Sequence, residues 1–125
     1  MSIETSKKQI EDLLLKYYHK GHELSDGELY RPMLHDNFSF FWINNKNKIE
    51  ITDKEDYISW YEAENRNKKL NWQIEVLSLD IEGELASAKV KIYNQNFGYL
   101  DYFNFMEENG KWLAVSKISK KLNEI

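Results

Sequence analysis

Near Leu70 the apolar residues of this chain change their spacing, and that change limits the fold more than any motif does. Before it, they recur at helical intervals. In IEDLLLKYYHKGHEL, Ile10, Leu13, Leu14, Tyr17 and Leu24 form one stripe of a helix expected over residues 6–24, opened by a capping box of Ser6 and Gln9. Gly21 lies on the same stripe, where a missing side chain lets another group approach the backbone closely. Ser25 with Glu28 and Thr52 with Glu55 repeat the capping pattern. They predict a short second helix over 26–34, limited by Pro32, and a third with Tyr57, Trp60, Tyr61 and Glu64 on one face. Between them FSFFWI, Phe38 to Ile43, has the composition of a strand, and NNKNK that of a turn.

From Leu70 onward the period is two. Leu70, Trp72, Ile74 and Val76 share one phase and Leu77, Leu79 and Ile81 the other, so a bulge or bend is expected near Val76-Leu77. Ala86, Ala88, Val90 and Ile92 alternate with Ser87, Lys89 and Lys91 as a half-buried strand. GYLDYFNFMEENGKWLAVSKISK, Gly98 to Lys120, folds about the two-residue turn Asn109-Gly110. The order helix, helix, strand, helix, then an antiparallel meander defines an α+β architecture. At 125 residues the chain is expected to be a single domain, 1–125.

Several functions are excluded at this level. A net charge of -4 with no Lys/Arg cluster leaves no footprint for nucleic acid; the pairs Lys68-Lys69 and Lys120-Lys121 read as solvated. No cysteine means no disulfide frame and no thiolate site. There is no phosphate-cradling glycine loop or dinucleotide fingerprint, so no cofactor is expected. No run approaches the ~20 apolar residues of a membrane span, and MSIETSKKQI lacks the apolar segment of a signal peptide, which makes cytoplasm the expected location. His19, His22 and Glu23 have the spacing to converge on a metal, but they lack the HExxH pattern and lie at the expected exposed end of the first helix. No metal is expected there. His35, in LHDNF, reads as a structural hydrogen-bonding group.

The closing hairpin carries an acid, Asp101, in the middle of an aromatic strand. A two-residue turn with regular pairing places Asp101 opposite Ile118, Phe103 opposite Ser116 and Phe105 opposite Ala114. One face then holds Asp101, Phe103, Phe105, Trp112, Ala114, Ser116 and Ile118, and this is the face expected to line a cavity. Lys117 falls on the other, toward solvent or a partner. In an apolar cavity Asp101 would serve as general base or acid, with Tyr17 or Tyr18 as phenol donor, Tyr17 being the one on the apolar stripe. The plainer reading is an acid satisfied by a lysine, a tyrosine hydroxyl or a backbone amide. Aromatic residues make up 14% of the chain. Tyr17, Trp42, Trp60, Tyr61 and Phe103, with Asp101 and Ser116, would form a box for a flat ligand, although core packing alone yields the same stripe.

Tyr18-x-x-Gly21, then Asp26, Leu29 and LHDNF from Leu34 to Phe38, resemble the first third of the nuclear-transport-factor-2-like (NTF2-like) superfamily. DYFNFMEENGKWLAVSK, Asp101 to Lys117, resembles the closing hairpin of its branch called SnoaL-like or putative lumazine-binding, and TDKEDYISWY matches the third helix in place and character. The resemblance implies an α+β cone with three N-terminal helices packed against a strongly curved antiparallel sheet, and a homodimer through the outer sheet face. Its relatives include ketosteroid isomerase, polyketide cyclases and dehydratases. It therefore implies a pocket for a small, mostly apolar or aromatic ring-containing molecule, with proton transfer as the associated chemistry. The competing expectation is a protein-interaction module, which would have a filled cone and an exposed apolar patch.

Overall fold

The computed structural model describes residues 2–64 and 70–123. Its N-terminal helix is built of α1 (Ile3–Leu13), a π-type segment (Leu14–His19) and α2 (Lys20–Leu24). A 3-10 segment (Gly27–Met33) follows, and α3 covers Lys54–Glu64. Each of the three starts is capped by a residue other than the expected hydroxyl. Ser2 Oγ accepts from the Thr5 amide at 3.1 Å, so the first helix begins earlier and Ser6 is buried within it. Asp26 accepts from the Glu28 amide at 3.0 Å, and Asp53 from the Asp56 amide at 2.9 Å. In the Ser-Asp and Thr-Asp pairs the carboxylate takes the cap, where its charge also meets the helix dipole. Thr52 is thereby released to accept from the Trp42 indole at 3.0 Å.

The π-type segment decides which side chains face inward. Its wider turns take more residues than an α-helix, so the i, i+4 series Ile10, Leu14, Tyr18 and His22 stays on the buried face. A stripe drawn at 3.6 residues per turn instead picks out Tyr17, which is half-buried, and Leu24, which is exposed. Gly21 is close to another group, as expected. A Cβ there would lie 2.3 Å from the Tyr30 ring, and one on Gly27 would lie 2.0 Å from the Ile58 carbonyl oxygen. Tyr30 can thus pack directly on the helix backbone.

The strands are β1 (Leu34–Ile43), β2 (Ile49–Asp53), β3 (Gln73–Glu82), β4 (Leu85–Tyr93), β5 (Gly98–Glu108) and β6 (Lys111–Leu122), in one sheet ordered β2-β1-β6-β5-β4-β3. The sheet is mixed, because β1 pairs with β6 in parallel while the other neighbours are antiparallel. That one pair corrects the expectation of an antiparallel sheet. A parallel pair needs a long crossover, and here α3 and four strands lie between the partners. The phase change in β3 is a register shift between Val76 and Ser78, leaving Leu77 exposed, and Ala86, Ala88, Val90 and Ile92 alternate inward in β4. Further shifts lie in β1 between Leu34 and Ser39 and in β6 at Val115, opposite Asn104 and Phe105 of β5. Bulges raise local twist and bend a strand, which lets the sheet curve around the buried helix face.

Among the described residues no helix is long and apolar enough to cross a membrane. The Lys68-Lys69 pair lies outside the described residues.

Candidate functional site

A cavity of about 680 Å³ opens between β1, α3, β5 and the end of β6. One wall is aromatic: Phe40 and Trp42 from β1, Trp60 and Tyr61 from α3, and Tyr99 from β5. Trp42 and Trp60 meet edge to face at 5.4 Å between ring centroids. The facing wall is the end of β6, which contributes Lys117, Ser119, Lys120 and Lys121. The volume falls within the usual range for small-molecule sites.

The floor is a buried polar chain. Lys117, only 2% exposed, donates from Nζ to the Tyr57 hydroxyl at 2.7 Å and to the Tyr18 hydroxyl at 3.2 Å. Tyr18 in turn donates to Asp101 Oδ2, and Ser119 donates to Asp101 Oδ1 at 2.5 Å. Asp101 is fully buried, and each of its oxygens is taken. The Lys117 ammonium also sits among ring faces, 4.5 Å from the Phe40 centroid, 4.6 Å from Tyr57 and 5.1 Å from Tyr18. The rings favour a cation while burial disfavours it. Burial lowers the Lys117 amine to about 8, with the Asp101 carboxylate opposing the shift. Burial likewise pushes the Tyr18 and Tyr57 phenols well above their usual range, so both stay hydrogen-bonding alcohols.

Behind this floor lies His22, ringed by Tyr18, Tyr30, Tyr61 and Trp72 at 4.7 to 5.6 Å between centroids. Its Nδ1 is 3.0 Å from the Tyr18 carbonyl oxygen, which can only accept, so Nδ1 carries the proton and shares it with the Tyr30 hydroxyl at 2.8 Å. Nε2 is buried without a hydrogen-bond partner among the described residues. Burial lowers this imidazole to about 3, and the nearby Lys117 and His19 charges push the same way. Gly21 and His22, at the expected exposed end of the helix, thus belong to the core. His19 Nε2 meets the Trp72 carbonyl at 2.8 Å and its Nδ1 lies 3.8 Å from Glu23, while His22 is turned into the core, so the three do not converge, and among the described residues no cluster suits a metal. His35 accepts from the Asn37 amide at 3.0 Å, a local turn contact.

Trp42, Trp60 and Tyr61 come together as the cavity wall. Asp101 and Phe103 lie behind it, Phe103 packing edge to face on Tyr18 at 4.9 Å. Tyr17 and Ser116 are elsewhere. Tyr17 lines a separate shallow groove with Gln9, Lys16 and Trp112, because the π-type segment gives the inward position to Tyr18. Ser116 accepts from the Asn104 side chain at 3.0 Å on the outer face. The reason is the bulge at Val115: Phe105 pairs with Ala114, but Asn104 pairs with Ser116, so Asp101 faces Ser119 and Phe103 faces Lys117. Lys117 and Ser119 thus take the inward places expected for Ser116 and Ile118. Lys117, Tyr57 and His22 went unrecognised in the sequence as parts of one polar cluster. A lysine within an otherwise apolar strand was the one visible signal.

A cone of this kind, with a long helix held in a bent six-stranded sheet and a cavity at one end, is the NTF2-like architecture. Solved structures bear this out. The chain is similar to an NTF2-like protein of unknown function from Shewanella baltica OS155, with TM-score 0.87, 22% identity, and 99% of both chains covered. It is also similar to one from Methylobacillus flagellatus KT, with TM-score 0.82, 25% identity, and 97% of this chain and 94% of that one covered. A cystatin-like domain of unknown function from Nostoc punctiforme PCC 73102 aligns with TM-score 0.77 at 10% identity, over 99% of this chain and 80% of that one. The model of the family described as "Putative lumazine-binding" matches residues 5–119, and the chain belongs to that family. No curated protein matches it.

Proposed function

We propose that this chain is a small-molecule-binding protein whose cavity holds a planar, mostly apolar ring system between the Trp42/Trp60/Tyr61 wall and Lys117. The observation that carries this reading is an open aromatic cavity with a buried, hydrogen-bonded ammonium at its floor. A packed core needs no such opening, and a filled cone was the expectation for an interaction module. The family description names lumazine, a flat bicycle. The proposal takes from it the ring shape alone. Asp101 has no free oxygen and does not line the cavity, so it acts as a positioning residue for Tyr18 and Lys117 and is not proposed as a base acting on the ligand.

Tryptophan fluorescence titrated with a panel of one- to three-ring aromatic molecules tests the reading. Saturable quenching is expected from at least one member, weakened about tenfold or more by Trp60→Ala, since truncating an aromatic anchor removes a wall of the site. Absence of quenching across the panel, or affinity indifferent to Trp60, rejects it.

The partner proposed for the outer sheet face is a second copy of the chain. Cross-strand pairing aligns Ile43 with Ile49, Phe41 with Ile51 and Ile118, and Ile118 with Tyr102. Of these, Ile43, Ile49, Ile51, Ile118 and Tyr102 are exposed, a stripe that crosses four strands. Sedimentation equilibrium should give twice the chain mass, and Ile118→Lys should reduce it to one. A monomeric wild type removes the dimer from the account.

A further inference from the structure

Resting on the pocket reading above, we infer that the ligand is an aromatic acid: a flat ring system bearing a carboxylate or a comparable anionic group that is seated on Lys117.

The lining of the cavity is one-sided in charge. It includes three lysines, Lys117, Lys120 and Lys121, and among the described residues no carboxylate. Among the described side chains the acid beside Lys117 is Asp101, which uses both oxygens in bonds with Tyr18 and Ser119; the side chain of Glu64, on the helix that carries Trp60 and Tyr61, lies outside the described ones. Among the described side chains a cationic ligand would therefore meet ammonium groups without a counter-charge, and a neutral hydrocarbon would leave the third ammonium proton of Lys117 unused. Tyr57 and Tyr18 occupy two of the donors on Lys117 Nζ, which leaves one ammonium proton for a ligand acceptor. Trp42 adds no competing polar demand, because its indole is already bonded to Thr52.

The two kinds of lysine act differently. Lys120 and Lys121 are exposed at the rim, where their field is screened by salt and serves chiefly to draw an anion in. Lys117 is buried between ring faces, where a charge-assisted hydrogen bond is stronger and less sensitive to salt. The seat also explains why the fold keeps an ammonium at a site where an apolar residue would pack without desolvation cost. Asp101, reached through Tyr18, offsets part of that cost by opposing the lowering of the amine.

The test compares two ligands of nearly equal shape, 2-naphthoate and 2-naphthamide, by isothermal titration calorimetry on the wild-type protein. The acid should bind roughly ten- to a hundredfold more tightly, the range for a hydrogen bond to a charged group. The preference should survive most of the way in Lys120→Gln/Lys121→Gln and disappear in Asp101→Asn/Lys117→Met, a pair that removes both buried charges together. Equal affinity, or tighter binding of the amide, overturns the inference and leaves the ring-binding reading standing. Loss of the preference in the rim variant alone overturns the seat at Lys117. If neither compound binds, the inference and the pocket reading both fall.

Discussion

Asp101→Asn is expected to destabilise the protein by about 3 kcal/mol, and Lys117→Met by a similar amount, whereas the two together should cost well below the sum. The two groups are opposite charges in the same buried chain, joined through the Tyr18 hydroxyl. Removing either leaves the other as a buried charge without its counter-charge. Removing both leaves a neutral floor. Urea unfolding of the four proteins in a double-mutant cycle measures the coupling, and strict additivity contradicts it. The pH dependence gives a second readout. The folded-state Lys117 amine is lowered from 10.5 to about 8, so between those values the unfolded chain binds more protons than the folded one. Stability from this group therefore rises with pH across that window and is flat below it. Asp101→Asn removes the influence that opposes the shift, so the rise should begin below pH 8 in that variant.

His22 should dominate the acid limb of stability. Its folded-state imidazole is lowered from 6.5 to about 3 by burial, with Tyr18, Tyr30, Tyr61 and Trp72 around it and Lys117 and His19 adding repulsion. Between these values the unfolded chain takes up a proton that the folded chain refuses, so stability falls as pH falls through the window and is constant above it. The loss approaches about 5 kcal/mol at the acid end, at about 1.4 kcal/mol for each pH unit. His22→Phe keeps a ring in the aromatic cage and removes the titration. Urea midpoints from about pH 7 to pH 4 should therefore fall less steeply in the variant, by close to one proton. Parallel curves contradict the assignment, because the carboxylates that also titrate there are common to both proteins.

The α+β class, the helices, the closing β-meander, the bulge in β3, the alternation of β4 and the aromatic wall were legible in the sequence, because each rests on local periodicity or local propensity, whereas the short edge strand β2 between β1 and α3 was missed. The points that escaped it were long-range or one residue in size. Nothing local distinguishes Tyr17 from Tyr18 until a π-type turn displaces the stripe. Likewise, the Asn109-Gly110 turn fixes pairing near Phe105 and Ala114, but a single extra residue at Val115 exchanges the faces of everything beyond it. That bulge turns Lys117 from an outward residue into the floor of the cavity. The parallel β1–β6 pair was hidden for a similar reason, since its partners are far apart in the chain.

The aromatic acid was likewise out of reach of the sequence, since it depends on three lysines of one strand end lining a cavity whose other wall comes from β1, α3 and β5. The central claim is that a ring binds at that place and nowhere else on the molecule. Each of the four tryptophans gives its own indole N–H signal in a ¹⁵N-correlated NMR spectrum. Trp42 and Trp60 line the cavity, while Trp112 lines the separate groove that holds Tyr17. Titration with 2-naphthoate should move the Trp42 and Trp60 signals progressively to saturation and leave Trp112 in place. Movement of Trp112 with Trp42 and Trp60 unmoved would put the ligand in the groove and contradict the account.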